Sequence, residues 1–119
     1  MQDFRDLKVW SKAHAATLAI YRATESFPST ERYGLTTQMR RAAASIAANI
    51  AEGCGRGSDA DFARFLHMSM GSASELEYFL LLARDLTFLR DGDHERVTAD
   101  VQEVKRMLAA LIARLKADR

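Results

Sequence analysis

The stretch Gln38-Met39-Arg40-Arg41-Ala42-Ala43-Ala44-Ser45-Ile46-Ala47-Ala48-Asn49-Ile50-Ala51-Glu52-Gly53-Cys54-Gly55-Arg56-Gly57 decides the fold of this chain. Leu35, Met39, Ala42, Ala43, Ile46 and Ile50 recur at spacings of three and four, which puts them on one apolar face of a helix. Gln38, Arg41, Ser45, Asn49 and Glu52 form a second stripe, polar throughout and set between small alanines. An ordinary surface helix carries varied charges on its outer face. This pattern predicts a helix pressed against neighbours on two sides, which is an interaction signature without catalytic content. Gly53, Gly55 and Gly57 then predict a loop, with Gly53 stopping the helix in the left-handed region.

Outward from that segment, the breakers are few. Pro28 is the only proline, and most of the six glycines sit in clusters, so the elements between them are long. A first helix is predicted over about residues 7–26, with Asp6 as its N-cap. Its apolar positions are Leu7, Trp10, Ala13, Leu18, Ile20 and Tyr21. Phe27 before Pro28 ends it, because the residue preceding proline is biased out of the helical region. Glu31 to Gly34 predicts a helical turn of its own, followed by the second helix over 35–52.

A third helix is predicted over about 59–89, opened by Ser58 and Asp61 as a capping box with Asp in place of Glu. Its stripe is Phe62, Phe65, Leu66, Ser69, Met70, Ala73, Leu76, Leu80, Ala83 and Leu86. Gly71 lies mid-helix, where glycine costs about 1 kcal/mol relative to alanine. It predicts a close helix crossing marked by Gly71 and Ser72, with Glu75 pairing to Arg40 or Arg41 across it. The alternative is that Glu75 and Glu77 are solvated. Asp91-Gly92-Asp93 predicts the next break, and a fourth helix follows over 94–116. Val97, Val101, Val104, Leu108, Leu111 and Leu115 give it a heptad seam. The expected fold is all-α: an antiparallel up-down-up-down four-helix bundle in a single domain spanning 1–119.

Composition narrows the function classes. The 119 residues suffice for one core, and 48% hydrophobic with 28% charged residues is ordinary for a soluble protein. Seventeen basic against sixteen acidic residues give a net charge of +1, so no global field draws nucleic acid. Binding of that kind needs a local patch or assembly. The single cysteine excludes an internal disulfide and suits a reducing cytosol. Without a signal pattern or an apolar run of spanning length, the expected location is cytoplasmic, with no membrane partner.

All but one of the candidates for chemistry fail, on their spacing or for want of a partner. Carboxylate-metal bundles need Glu-x-x-His pairs, and His14, His67 and His94 follow Ser11, Arg64 and Asp91 at that distance. Asp91, Asp93 and Glu95 imitate a calcium loop, but Arg96 and Gln102 stand where glycine and glutamate are required. Gly53–Gly57 follows a helix and lacks a Lys-Ser or Lys-Thr pair, so the dinucleotide and P-loop readings fail. One reading survives there: Arg56 beside the N-terminus of the third helix, holding a phosphate. Cys54 lacks a base within reach and reads as an ordinary loop thiol, and Ser45, Ser69, Ser72 and Ser74 likewise lack one. No cofactor or metal is expected, and no enzyme.

Four motifs now stand in one order: residues 4–10 (Phe4, Arg5, Asp6, Leu7, Lys8, Val9, Trp10), Phe27-Pro28 with Glu31 and Tyr33-Gly34-Leu35, the 38–57 segment, and Gly71-Ser72 with Glu75-Leu76-Glu77. Together they closely resemble the bacterial four-helix-bundle proteins encoded in 23S rRNA intervening sequences, over roughly 4–89, the last helix matching in type only. The resemblance implies a bundle that assembles as a ring-like homopentamer, in a family without established enzymatic activity. A similar accessory protein of diversity-generating retroelements forms such a ring and binds nucleic acid and a reverse transcriptase.

Two functions follow as expectations. In the first, an oligomer binds RNA or DNA through Lys8, Lys12, Arg40, Arg41, Arg56 and Arg64, repeated around a ring so that avidity supports weak contacts. In the second, the chain is a protein–protein scaffold without a nucleic-acid role. Gln38, Arg41, Ser45, Asn49, Glu52, Gly71, Ser72 and Glu75 then serve assembly and packing. Whether the arginines hold phosphate or subunits stays open at this level.

Overall fold

In the computed structural model, which describes residues 3–117, four helices alternate in direction. They are α1 (Lys8–Thr24), α2 (Leu35–Cys54), α3 (Asp59–Asp85) and α4 (Asp91–Ala117), with 3-10 turns over Phe4–Asp6 and Ser29–Glu31. No strand occurs among the described residues. Side-chain contacts fix the antiparallel order. Thr17 reaches the Ala43 carbonyl and Arg40 reaches Thr24 between α1 and α2, while Ser69 reaches the Ile46 carbonyl and Arg41 reaches Glu75 between α2 and α3. Lys105 meets Glu77 between α3 and α4, and Lys12 meets Glu103 between α1 and α4. Each helix therefore packs on its two sequence neighbours, with α4 closing onto α1, in a body of 47 × 23 × 20 Å.

The core follows the expected stripes on three helices. All six α4 seam residues from Val97 to Leu115 are buried, as are Leu35, Met39, Ala42, Ala43, Ile46 and Ile50 of α2. On α3 only Leu86 departs from its stripe, standing exposed. The first helix differs more. Leu18 and Tyr21 point outward, and the buried face is Val9, Ala13, Ala16, Ile20 and Thr24. Small residues let α1 sit close to α2, and the large apolar ones fall on its flank.

The helix ends differ from the expected boundaries for identifiable reasons. Asp6 does not cap α1. It ends the 3-10 turn that Asp3 caps through Arg5 N–H, and extended Leu7 precedes the helix. Gly53 is helical, not left-handed, and α2 continues to Cys54. Its missing side chain serves packing instead, since a Cβ there would stand 2.8 Å from Phe65 Cβ and 3.0 Å from Phe62 Cδ1. At the start of α3, Ser58 Oγ accepts from Asp61 N–H at 3.2 Å, while the Asp61 carboxylate turns to Arg64.

The third helix stops at Asp85, four residues early. Thr87 adopts φ 65°, with Thr87 N–H donating to the Arg84 carbonyl and Phe88 N–H to the Ala83 carbonyl. This is a Schellman ending with threonine where glycine is usual. The Asp91-Gly92-Asp93 break is in fact the first turn of α4, where two carboxylates suit the positive end of the helix.

Candidate nucleic-acid and assembly surfaces

The polar stripe of α2 lies along the seam with α3. Arg41 Nη2 donates to Gln38 Oε1 at 2.8 Å and to Glu75 Oε1 at 3.4 Å. One turn on, Ser72 Oγ donates to Ser45 Oγ at 3.0 Å, and Asn49 Nδ2 donates to the Ser45 carbonyl and Oγ at 2.9 and 3.0 Å. Beneath them Ser69, fully buried, donates to the Ile46 carbonyl at 2.8 Å. Gln38, Arg41, Ser45, Asn49, Ser72 and Glu75 thus meet in one ladder, and the pairing of Glu75 with Arg41 is as expected from the sequence. Glu52 instead pairs with Arg56 at 2.9 Å.

Gly71 does not join the ladder. The expected crossing is absent within the chain, because nothing stands within 4 Å of where its Cβ would be. Gly71 faces outward on α3, between Met68 and Tyr78, which are 47% and 56% exposed. Met68, Gly71, Glu75 and Tyr78 are spaced three, four and three, so α3 carries an outer seam beside its core face, with Glu75 turned toward Arg41 of α2. That periodicity is visible in the sequence, but the stronger core stripe overlies it. On α2, Ala44 and Ala48 are also exposed.

The six basic candidates do not form one patch. Lys12 pairs with Glu103 at 3.3 Å and Arg64 with Asp61 at 3.1 Å. Arg56 and Arg64 both lie over the Phe65 ring, at 4.7 and 4.6 Å from its centroid. With Arg41 and Arg56 also paired, four of the six side chains are committed to carboxylates of this chain. Such exposed pairs are worth about 0–1 kcal/mol each, so they can be exchanged, but they cancel the local field. Lys8 is exposed at the start of α1 and has no ion pair among the described residues.

Arg40 is placed differently. Its Nε donates to Thr24 Oγ1 at 2.9 Å and Nη2 to the Tyr21 carbonyl at 3.3 Å, while the guanidinium lies 4.7 Å from the Tyr21 ring centroid. No carboxylate lies within 4 Å of it among the described residues. It is held in place and keeps its charge.

The glycine loop is less suited to a phosphate than its sequence suggests. Arg56 is engaged by Glu52, and the shallow cleft there is also lined by Asp59, a like charge to any anion. Cys54 ends α2, buried, where the sequence placed it in a loop. Burial pushes its thiol pKa up, with the Asp3 carboxylate adding to the effect. A protonated buried thiol is a poor nucleophile. Among the described residues, no group of three or more His, Cys, Asp or Glu could hold a metal ion, and no helix is long and apolar enough to cross a membrane.

The family described as 23S rRNA-intervening sequence protein matches residues 5–110 of this chain. Among solved structures, the chain is similar to a protein of unknown function from the S23 ribosomal protein family of Bacteroides thetaiotaomicron. The two are 26% identical, with a TM-score of 0.79 over 87% of this chain and 97% of that one. No curated protein matches the sequence.

Proposed function

The chain belongs to the 23S rRNA-intervening sequence protein family, and on that footing we propose that it is a non-enzymatic bundle that assembles with copies of itself and carries RNA or DNA. The observation that supports assembly most is the outer seam of α3. Met68, Gly71 and Tyr78 lie along it with a gap at Gly71 and with Glu75 between the last two, and no described element of the chain covers it. A mid-helix glycine costs about 1 kcal/mol. Nothing among the described residues repays that cost, whereas a neighbouring copy packed against Gly71 would. The exposed alanines of α2 offer the same close approach to a second helix. A ring-like pentamer is the form that the family resemblance implies.

Nucleic-acid binding rests on repetition. With a net charge of +1, a single copy offers only modest attraction. Five copies present Lys8 and Arg40 five times, so weak contacts add through avidity.

Light scattering tests the assembly, with an expected mass near five times the 13.3 kDa chain. The double substitution Met68→Glu with Tyr78→Glu, both at exposed positions, is expected to give a folded single chain. A parent protein that is monodisperse at one chain overturns the assembly. For nucleic acid, binding that weakens steeply with salt is expected. An intact oligomer that binds neither RNA nor DNA at low salt leaves only the scaffold role.

A further inference from the structure

Between the end of α1 and the start of α2 lies a cleft of about 340 Å³ that takes no residue from the outer seam of α3. Its walls include Thr24, Pro28, Arg32, Tyr33, Thr37 and Arg40. Tyr33 is the most exposed large hydrophobic side chain described, at 88%. Its backbone is nonetheless pinned from both sides. Glu31 N–H donates to the Pro28 carbonyl, Arg32 N–H to that of Ser29 and Gly34 N–H to that of Glu31. Thr37 Oγ1 donates to the Arg32 carbonyl, and the Glu31 carboxylate accepts from Leu35 N–H at 3.1 Å. Gly34 makes room for that carboxylate, since a Cβ there would stand 2.9 Å from Glu31 Oε1. The ring is therefore presented to solvent on a fixed support.

Two arginines flank it. Arg40 spends two of its five N–H donors on Thr24 and Tyr21, which leaves three for a ligand. Arg32 is exposed and makes no ion pair among the described residues. Glu25 is the one carboxylate on the cleft wall. It repels phosphate but accepts from an exocyclic amino group of a base.

We infer that the Tyr33–Arg40 cleft is a site for single-stranded RNA, with one base stacked on Tyr33 and its adjoining phosphate held by Arg32 and Arg40. The inference deepens the nucleic-acid reading above and rests on it. A single strand is favoured because an exposed aromatic ring can stack only on a base that has left its own helix. Duplex binding relies mainly on a wide field of positive charge, which a near-neutral chain lacks. Stacking on a ring, by contrast, adds about five- to a hundredfold in affinity per base, is tolerant of sequence and needs only a local pair of cations beside it.

The test is fluorescence anisotropy with a labelled oligocytidylate of about 12 nucleotides, a length within the usual range of single-strand sites, against a base-paired hairpin. Each protein's oligomer mass and melting curve serve as controls. The parent is expected to prefer the single strand. Tyr33→Ala is expected to weaken binding by about five- to a hundredfold, and Tyr33→Phe by less than about twofold, because stacking needs the ring alone. Arg32→Gln is expected to lower the salt slope by about one, which Tyr33→Ala leaves unchanged. Parent-like binding by Tyr33→Ala, or equal capture of the hairpin, overturns the site and leaves nucleic-acid binding elsewhere intact. A parent that binds no RNA at about 50 mM salt overturns the site, and one that binds neither RNA nor DNA there overturns the wider reading as well.

Discussion

Alanine at Gly53 and alanine at Gly71 are the same chemical change in two α-helices, and they should move stability in opposite directions. At Gly71 nothing lies within 4 Å of the new Cβ. The substitution therefore gains the whole difference in helix propensity, about 1 kcal/mol. For a chain of this length that raises the melting temperature by about 4 °C. At Gly53 the new Cβ would stand 2.8 Å from Phe65 Cβ and 3.0 Å from Phe62 Cδ1. A Cβ cannot swing aside as the end of a side chain can, so α2 and α3 must part. Overpacking of that kind costs about 1–3 kcal/mol. Gly53 is the penultimate residue of α2, so the propensity gain is smaller than mid-helix. The net expectation is a loss of about 1–2 kcal/mol.

The assay is thermal and urea unfolding followed by circular dichroism. Self-association makes apparent stability depend on concentration, so each protein is measured at a dilute and a concentrated condition. In dilute solution Gly71→Ala should unfold at a higher temperature than the parent, and Gly53→Ala at a lower one. On concentration the parent should gain more than Gly71→Ala, because the methyl group intrudes on the outer seam. A Gly53→Ala protein as stable as the parent would refute the close α2–α3 approach. A loss of stability in dilute Gly71→Ala would show that α3 has a neighbour within the chain at that point.

The fold was legible because its signals are local and redundant. The α4 seam runs through six positions without interruption, all of them buried, and only Ile112 is buried beside it. Helix ends were less legible where an unusual residue performs a common task. Thr87 takes a conformation that sequence rules assign to glycine or asparagine, so the stop at Asp85 carried no marker, while Gly92 supplied a false one. Gly53 makes the close approach that the spacing assigns to Gly71, while Gly71 meets no described residue of its own chain. Glycine in a sequence signals either a turn or a close approach, and only the neighbours decide which. The Arg41–Glu75 pair was predictable because antiparallel packing brings those turns together. The division of the six cations was not, since ion pairs depend on rotamers and on facing helices. Tyr33 passed unnoticed as a site because the exposure of one loop ring leaves no periodic trace.

Two further outcomes follow from the ends and the seams of the helices. Thr87→Gly is expected to stabilise the protein by about 1 kcal/mol, read as a raised melting temperature, because a β-branched residue at φ 65° bears a steric cost that glycine does not. An unchanged or lowered melting temperature would show that the Thr87 hydroxyl, donating to the Leu86 carbonyl at 2.6 Å, outweighs that cost. Glu77 gives a pH dependence. Lys105 Nζ at 2.9 Å and Gln102 Nε2 at 3.0 Å donate to its carboxylate and hold its pKa below the ordinary value. The unfolded chain then binds this proton more readily than the folded one, so stability rises with pH between the two pKa values. The contribution is complete above the unfolded carboxylate pKa and is lost as pH falls through the lower, folded one. Glu77→Gln should accordingly flatten the acid limb of a stability–pH curve while costing stability near neutrality. An acid limb identical to the parent's would place the controlling carboxylates elsewhere than the α3–α4 seam.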